Sequence, residues 1–448
     1  MSKQRIQLSD HFTYSRLLRF VLPCIGTMLF TSIYGIVDGL CVSNFVGKTA
    51  FAAVNLIMPL PMLLGTIGFM LGTGGSAIVG ITLGEGDQKK ADRYFTLFLL
   101  AALISVSVLA VLGIVFLRPI AVLLGAKGEL LDYAVRYGRI LMVSLPTFAL
   151  QNMFQSFFVT AEKPHLGFWF TVGAGCTNMV LDVLMVGIWG WGVEGAAIAT
   201  FISQLVGGVL PVFYFIDRSN SSRLHLCKTS FYSKVLRDAC INGSSELMTN
   251  LSMSLVNILY NFQLLRLAGE NGVAAYGVIM YAAFLFVAVF VGYAVGSAPI
   301  VSFHYGARNH AEVHNLYRKS LRLIAVVAVT LTLASMFIIP CVARIFVGYD
   351  AELLALTSRA FRLYALSFLI MGFNVYASSF FTALGDGVTS ALISFLRTLA
   401  FQVIAILLLP LLLGIDGIWL AVTAELAALA VSAAMLLTKD KVFHYRKA

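Results

Sequence analysis

Two aspartates stand in stretches that are otherwise apolar: Asp38 in TSIYGIVDGLCVS and Asp182 in CTNMVLDVLMVGI. A carboxylate inside a bilayer costs at least about 2.5–3.5 kcal/mol on insertion scales, so such groups are kept for a purpose. Asn178 precedes Asp182 by four residues, which puts both on one face of one helix. Tyr137 and Asn152 add a phenol and an amide inside one further apolar run, and Thr200 a hydroxyl inside another. Two carboxylates near each other at low dielectric do not both ionise readily, so the pair can hold a proton. The same oxygens, with amide carbonyls and hydroxyls, also suit a small hard cation such as Na⁺. The plainer alternative is that these groups hydrogen-bond one another and fix helix packing.

The elements that must carry these residues follow from composition. The chain has 448 residues, 59% of them hydrophobic and 12% charged, with a mean hydropathy of +0.90. That leaves too little polar surface for a soluble body of this size. Apolar stretches long enough to span a hydrocarbon core of roughly 30 Å occur at about twelve places: 16–42, 51–81, 95–117, 133–160, 167–188, 193–215, 241–265, 273–303, 321–341, 355–384, 388–413 and 417–438. The expected fold is an all-α polytopic membrane protein. The opening MSKQRIQLSDHFTYSRLLRF lacks a short apolar core and cleavage site, so it reads as a cytoplasmic tail. Lys and Arg gather in alternate connections, including Lys89, Lys90, Arg93, Arg218, Arg223, Lys228, Arg308, Arg318 and Lys319. This places both termini in the cytoplasm and the chain in the plasma membrane. The net charge of +10 reflects that bias, and no nucleic-acid partner is expected.

The chain also repeats itself. Gly47, Ala52, Ala53, Ile57, Met58, Gly74, Ile78, Val79 and Gly84 recur 222 positions later as Gly269, Ala274, Ala275, Ile279, Met280, Gly296, Ile300, Val301 and Gly306. Ser156-Phe157-Phe158 recurs one position further on, as Ser379-Phe380-Phe381. Internal duplication in an apolar chain marks secondary transporters, and six spans per unit make the repeats parallel about an axis along the membrane normal. The units are expected at 1–215 and 241–448, joined by a polar, basic connector at 216–240. Their chemistry is unequal. Asp38 falls on Tyr260, Tyr137 on Ala360, Asn152 on Val375, Asn178 on Ala400, Asp182 on Ile404 and Thr200 on Val422. Pro23, which removes a backbone hydrogen bond in the first span and so predicts a kink or hinge there, falls on Ser245.

In the second unit Glu246, Asn250 and Asn257 stand close to helical spacing and can line a central cavity. Arg397 and Glu425 read as a structural ion pair. Abundant Phe and Met, 34 and 15 in the chain, suit an adaptable apolar pocket and cation–π contact with organic cations. The six cysteines show no C-x-x-C spacing, and neither a disulfide framework nor a zinc site is expected. With no H-E-x-x-H, no G-x-S-x-G and no paired intramembrane histidines, an enzyme is not expected.

At Pro23, Tyr34-Gly35-Ile36-Val37-Asp38, the small-residue stretch from Gly72 to Gly84, and Asn178-Met179-Val180-Leu181-Asp182, the chain resembles the multidrug and toxic compound extrusion (MATE) family. The resemblance extends over essentially all twelve spans and is nearest to the prokaryotic, DNA-damage-inducible and Firmicute multidrug branch. It implies a V-shaped monomer of two six-helix lobes with a central cavity. The implied activity is export of diverse, often cationic, small-molecule drugs against H⁺ or Na⁺, with no cofactor and no metal beyond that ion. It also implies a cation site at Asp38, Tyr137, Asn152, Asn178, Asp182 and Thr200. The branch that uses second-lobe carboxylates is poorly matched, since span ten offers Asn374 and no acid. A flippase for lipid-linked oligosaccharides shares the architecture and is the alternative, but it would be expected to carry several cavity cations where this chain offers Arg397.

Overall fold

The computed structural model describes residues 6–46, 48–348 and 350–445. The helices, in chain order, are α1 (Tyr14–Phe45), α2 (Lys48–Ile57), α3 (Pro59–Gly84), α4 (Gln88–Leu123), α5 (Glu129–Thr160), α6 (Pro164–Asp182), α7 (Gly192–Gly208), α8 (Leu210–Ile216), α9 (Ser233–Gly306), α10 (His310–Val347), α11 (Ala351–Ala365), α12 (Phe368–Ala383), α13 (Gly387–Phe395), α14 (Phe401–Leu413), α15 (Ile415–Leu420), α16 (Glu425–Thr438) and the short α17 (Asp440–Phe443). Nine described helical stretches are long and apolar enough to cross a bilayer by themselves. One of them, α9, reverses at Gly269, whose φ of 60° and ψ of −151° lie outside the helical region. Stacking of Tyr260 on Tyr276, ring centroids 5.0 Å apart, shows that its two arms run back along each other. Helices α11 and α12, bent by 46°, make one broken span, and α5 completes twelve.

Short polar residues start the helices after tight turns. Asp87 accepts the Lys90 N–H and Asn309, its repeat partner, accepts the Glu312 N–H; both satisfy amides that a helix start leaves open. The turns before them differ in one respect. Gly86 has φ +87° and its partner Arg308 φ +56°; in the second such pair Gly385 has φ +82° and Glu162 φ +61°. A left-handed backbone costs a residue with a side chain about 1–2 kcal/mol, so one copy of each turn carries a penalty that the other avoids.

The halves meet through backbone. A Cβ on Gly84 would collide with the Phe303 carbonyl, and one on Gly306 with the Ile81 carbonyl. Gly84 and Gly306 are repeat partners, as are Ile81 and Phe303, so these are one contact seen from its two sides. Gly74 likewise faces Ala239 and Gly243, while its partner Gly296 faces Val21 and Cys24. This reciprocity is the isologous contact of a two-fold axis, and it confirms parallel repeats. All these approaches lie toward the face that carries both termini, where His314 Nδ1 lies 2.9 Å from the Tyr445 carbonyl and the Asn315 amide donates to the Phe12 carbonyl. Toward the opposite face Met62, Ile258, Phe262 and Phe284 are exposed, and the two lobes of the V diverge around a central cleft. Gly306→Ala is expected to lower the unfolding temperature, since relieving such a clash costs typically 1–3 kcal/mol. Gly277→Ala, with no atom within 4 Å of the added Cβ, is the neutral control in the same melting measurement.

Candidate functional site

Asp182 is fully buried and is the last α-helical residue of α6. A π-helical segment, Val183–Ile188, follows it directly. The wider turn interrupts the regular hydrogen-bond ladder, as π segments at functional sites commonly do. One turn earlier, buried Asn178 donates its amide to the Thr200 hydroxyl at 3.5 Å, which joins α6 to α7. Tyr137 of α5 is fully buried in the apolar cluster that holds Val186 of the π segment and Val193 and Ala197 of α7. Asp182, Asn178, Thr200 and Tyr137 therefore share one part of the first lobe, near the face opposite the termini. Asp38 falls in α1, but its side chain lies outside the described residues.

Asn152 stands apart from that group. It sits on α5 with Tyr137, 15 positions further along, which is about 22 Å at 1.5 Å per residue. One ion cannot touch both. Its amide nitrogen is buried without a hydrogen-bond partner among the described residues, and the same holds for the Gln204 carbonyl oxygen. Gln204 lies one turn beyond Thr200 on α7, so the polar groups of this lobe run from Asp182 inward as a column. The four-residue spacing of Thr200 and Gln204 was the available sequence signal for Gln204. Pro23 is buried in α1, where the Thr27 hydroxyl donates to its carbonyl at 2.9 Å.

The second lobe holds a different arrangement. Arg397 lies in a π segment, Leu396–Ala400, with its guanidinium 3.9 Å from the Glu425 carboxylate, and both side chains are buried. Asn374 donates to the Glu425 carbonyl at 2.9 Å and accepts from the Ser432 hydroxyl. The expected structural pair is thus formed and its neighbours are polar. On α9, Glu246 is half-buried and Asn257 exposed, while the Asn250 amide is engaged with the Glu246 carbonyl of its own helix.

The sequence profile of the MatE family matches the chain twice, at 23–184 and at 247–408. The chain belongs to the MatE family. The two matches fall one in each lobe, as a duplicated fold requires. Among relatives, the multidrug export protein MepA of Staphylococcus saprophyticus is 21% identical over 434 residues, 96% of this chain and 95% of that one. The MepA protein of Staphylococcus aureus strain MSSA476 is 22% identical over 433 residues, with coverage of 96% and 95%. A MATE crystal structure in complex with MaL6 superposes with a TM-score of 0.93 at 22% identity, covering 99% of this chain and all of that one. An outward-facing multidrug resistance MATE transporter of the MOP superfamily gives 0.92 at 22% identity, with 99% of both chains covered. These likenesses establish for this MatE-family chain the multi-pass membrane fold derived above.

Removing Arg397 alone strands Glu425 in an apolar interior, a loss of about 3–5 kcal/mol for a buried pair. Arg397→Leu is expected to lower the melting temperature of the purified protein strongly. The double variant Arg397→Leu/Glu425→Leu should recover most of that loss. Additive effects in the double-mutant cycle would mean that the pair does not act as a unit.

Proposed function

We propose that this chain exports small organic compounds, cations among them, in exchange for H⁺ or Na⁺ bound in the first lobe. The observation that carries the reading is Asp182, fully buried one helical turn from an asparagine that reaches Thr200, in a lobe whose twin has apolar residues at those positions. Asp182 and Asp38 hold the cation, Asn178, Thr200 and Tyr137 complete its surroundings, and Asn152 serves the inner end of the polar column. Its amide changes partners as the ion moves. Pro23 is the hinge about which α1 shifts when the ion binds. The face with the termini is cytoplasmic, because the basic connections gather there, and the cleft on the other side is where the compound leaves. Glu246, Asn250 and Asn257 belong to the second-lobe wall of the path. The chain acts as a monomer in the plasma membrane.

Coupling works if the cation and the exported compound favour different states of the lobes. Moving a two-state population from 1:99 to 99:1 takes about 5.5 kcal/mol of differential binding. A carboxylate pair that is charged in one state and neutralised in the other supplies energy on that scale. The names of the MepA relatives, multidrug export proteins, support the substrate class. A flippase handling pyrophosphate-linked lipids would need unpaired cavity cations, whereas Arg397 faces Glu425.

The test is efflux of an ethidium-type dye from proteoliposomes with separately imposed pH and Na⁺ gradients. One gradient should drive efflux in the unmodified chain. Asp38→Asn and Asp182→Asn should each reduce the gradient-driven rate roughly tenfold or more, the scale of a 1–3 kcal/mol coupling. Gradient-driven efflux that survives in both variants would falsify the assignment of the site.

A further inference from the structure

Two arginines stand inside apolar spans on surfaces that otherwise suit lipid. Arg19 is in α1 and Arg322 in α10, and both are exposed. The repeat gives their depth, because a two-fold along the membrane normal carries each residue to the same level in the other half. Arg322 falls on Leu100 and Arg19 on Ile241, apolar side chains that are 41% and 42% exposed. Large apolar side chains that a spanning helix leaves uncovered meet the acyl chains. The two arginines therefore occupy lipid-facing positions at that level.

Both bases come to one place. The Arg322 guanidinium donates to the Tyr14 hydroxyl at 3.4 Å, at the start of the helix that carries Arg19, and Lys319 stands 5.4 Å over the same tyrosine ring. Among the described residues neither arginine forms an ion pair with a carboxylate. The one acid of α10, Glu312, is buried and already engaged by His11 and the Phe12 N–H. Past the bases each helix continues as an exposed apolar row: Leu22 on α1, and Val326, Val329 and Leu333 on α10, four, seven and eleven positions after Arg322. A guanidinium at such depth is costly unless it finds an anion or snorkels to the interface, and basic pockets between spans on the face rich in Lys and Arg are where anionic headgroups bind. We infer that Arg19 and Arg322, with Lys319 behind them, form a site for an anionic phospholipid whose phosphate lies between the arginines and whose acyl chains follow the two rows. In the other half, leucine and isoleucine offer similar rows and no base for a phosphate. The site is separate from the cation site, and it stands whether or not the chain exports drugs.

Titration of lipid onto the purified full chain in a neutral detergent, read by native mass spectrometry, tests the site. Phosphatidylglycerol is expected to bind roughly tenfold or more tighter than phosphatidylcholine, the scale of two bases at an anionic surface. Arg19→Ile/Arg322→Leu installs the residues that the other half uses at this depth and should bring phosphatidylglycerol down to the level of phosphatidylcholine. If that double variant does not fold, Arg322→Leu alone is read by the same loss. Lys89→Gln/Lys90→Gln removes as much charge from the exposed start of α4 and should leave the preference intact. Equal binding of the two lipids to the unmodified chain overturns the site. An equal loss in the lysine variant overturns it too, since the preference then belongs to net charge alone. Displacement of the lipid by soluble glycerol phosphate at the same concentration also overturns it, because the apolar rows then contribute nothing.

Discussion

The fold depends on backbone meeting backbone across the axis that relates its halves. Gly84 lies against Phe303 and Gly306 against Ile81, with no room for a methyl group at either place. Such close approach is how helices associate in lipid, where apolar side chains gain little by leaving one apolar medium for another. It also fixes depth and rotation together, because a helix that slides by one residue puts a Cβ where the glycine was. The first helix of each unit, held at Gly292 and Gly296 on one side and at Gly243 on the other, is placed by the same rule. Everything that bears charge is hung from this frame.

The buried charges are distributed unequally on it. In the second lobe Glu425 has Arg397 and Asn374 beside it, so its charge is balanced within the protein. Partners of this kind make a fixed interior and leave little for an ion to add. In the first lobe the carboxylate of Asp182 adjoins amide and hydroxyl groups, which solvate an ion without cancelling it. Duplication supplied two equal frames, and divergence of a few interior positions gave one an internal counter-charge and left the other a buried carboxylate beside uncharged polar groups. Under the proposed exchange such inequality matters, since two identical sites would pull the halves symmetrically.

Much of this was legible in the sequence. The apolar stretches gave the spans, and the recurring glycines gave the pairing of the halves, because both depend on residue type along a single helix. Asn178 and Asp182 were legible for the same reason, as was the pairing of Arg397 with Glu425. The separation of Asn152 from Tyr137 could equally be counted along one helix, and only the resemblance groups the two. The break between α11 and α12 carries no proline or glycine signal at Leu366 or Ser367. The packing of the segment before α1 was invisible as well: Leu8 and Phe12 sit in a tail that reads as polar and basic, yet both are fully buried and donate to Glu162 and Glu312, distant in sequence. Contacts between segments have no period to betray them.

The reciprocal seam carries a hazard of its own. A surface that fits its repeat partner in one chain fits the same partner in a neighbouring chain, so a first half from one molecule can close on the second half of another. What decides between them is local concentration. The stretch 217–232 between α8 and α9 could reach about 55 Å if fully extended, yet its His225 and Cys227 amides are fastened along α4. That shortens the tether and raises the effective concentration of each half at the other. The connector thus does more than link two units: it makes a single chain the smallest assembly in which the two-fold is satisfied.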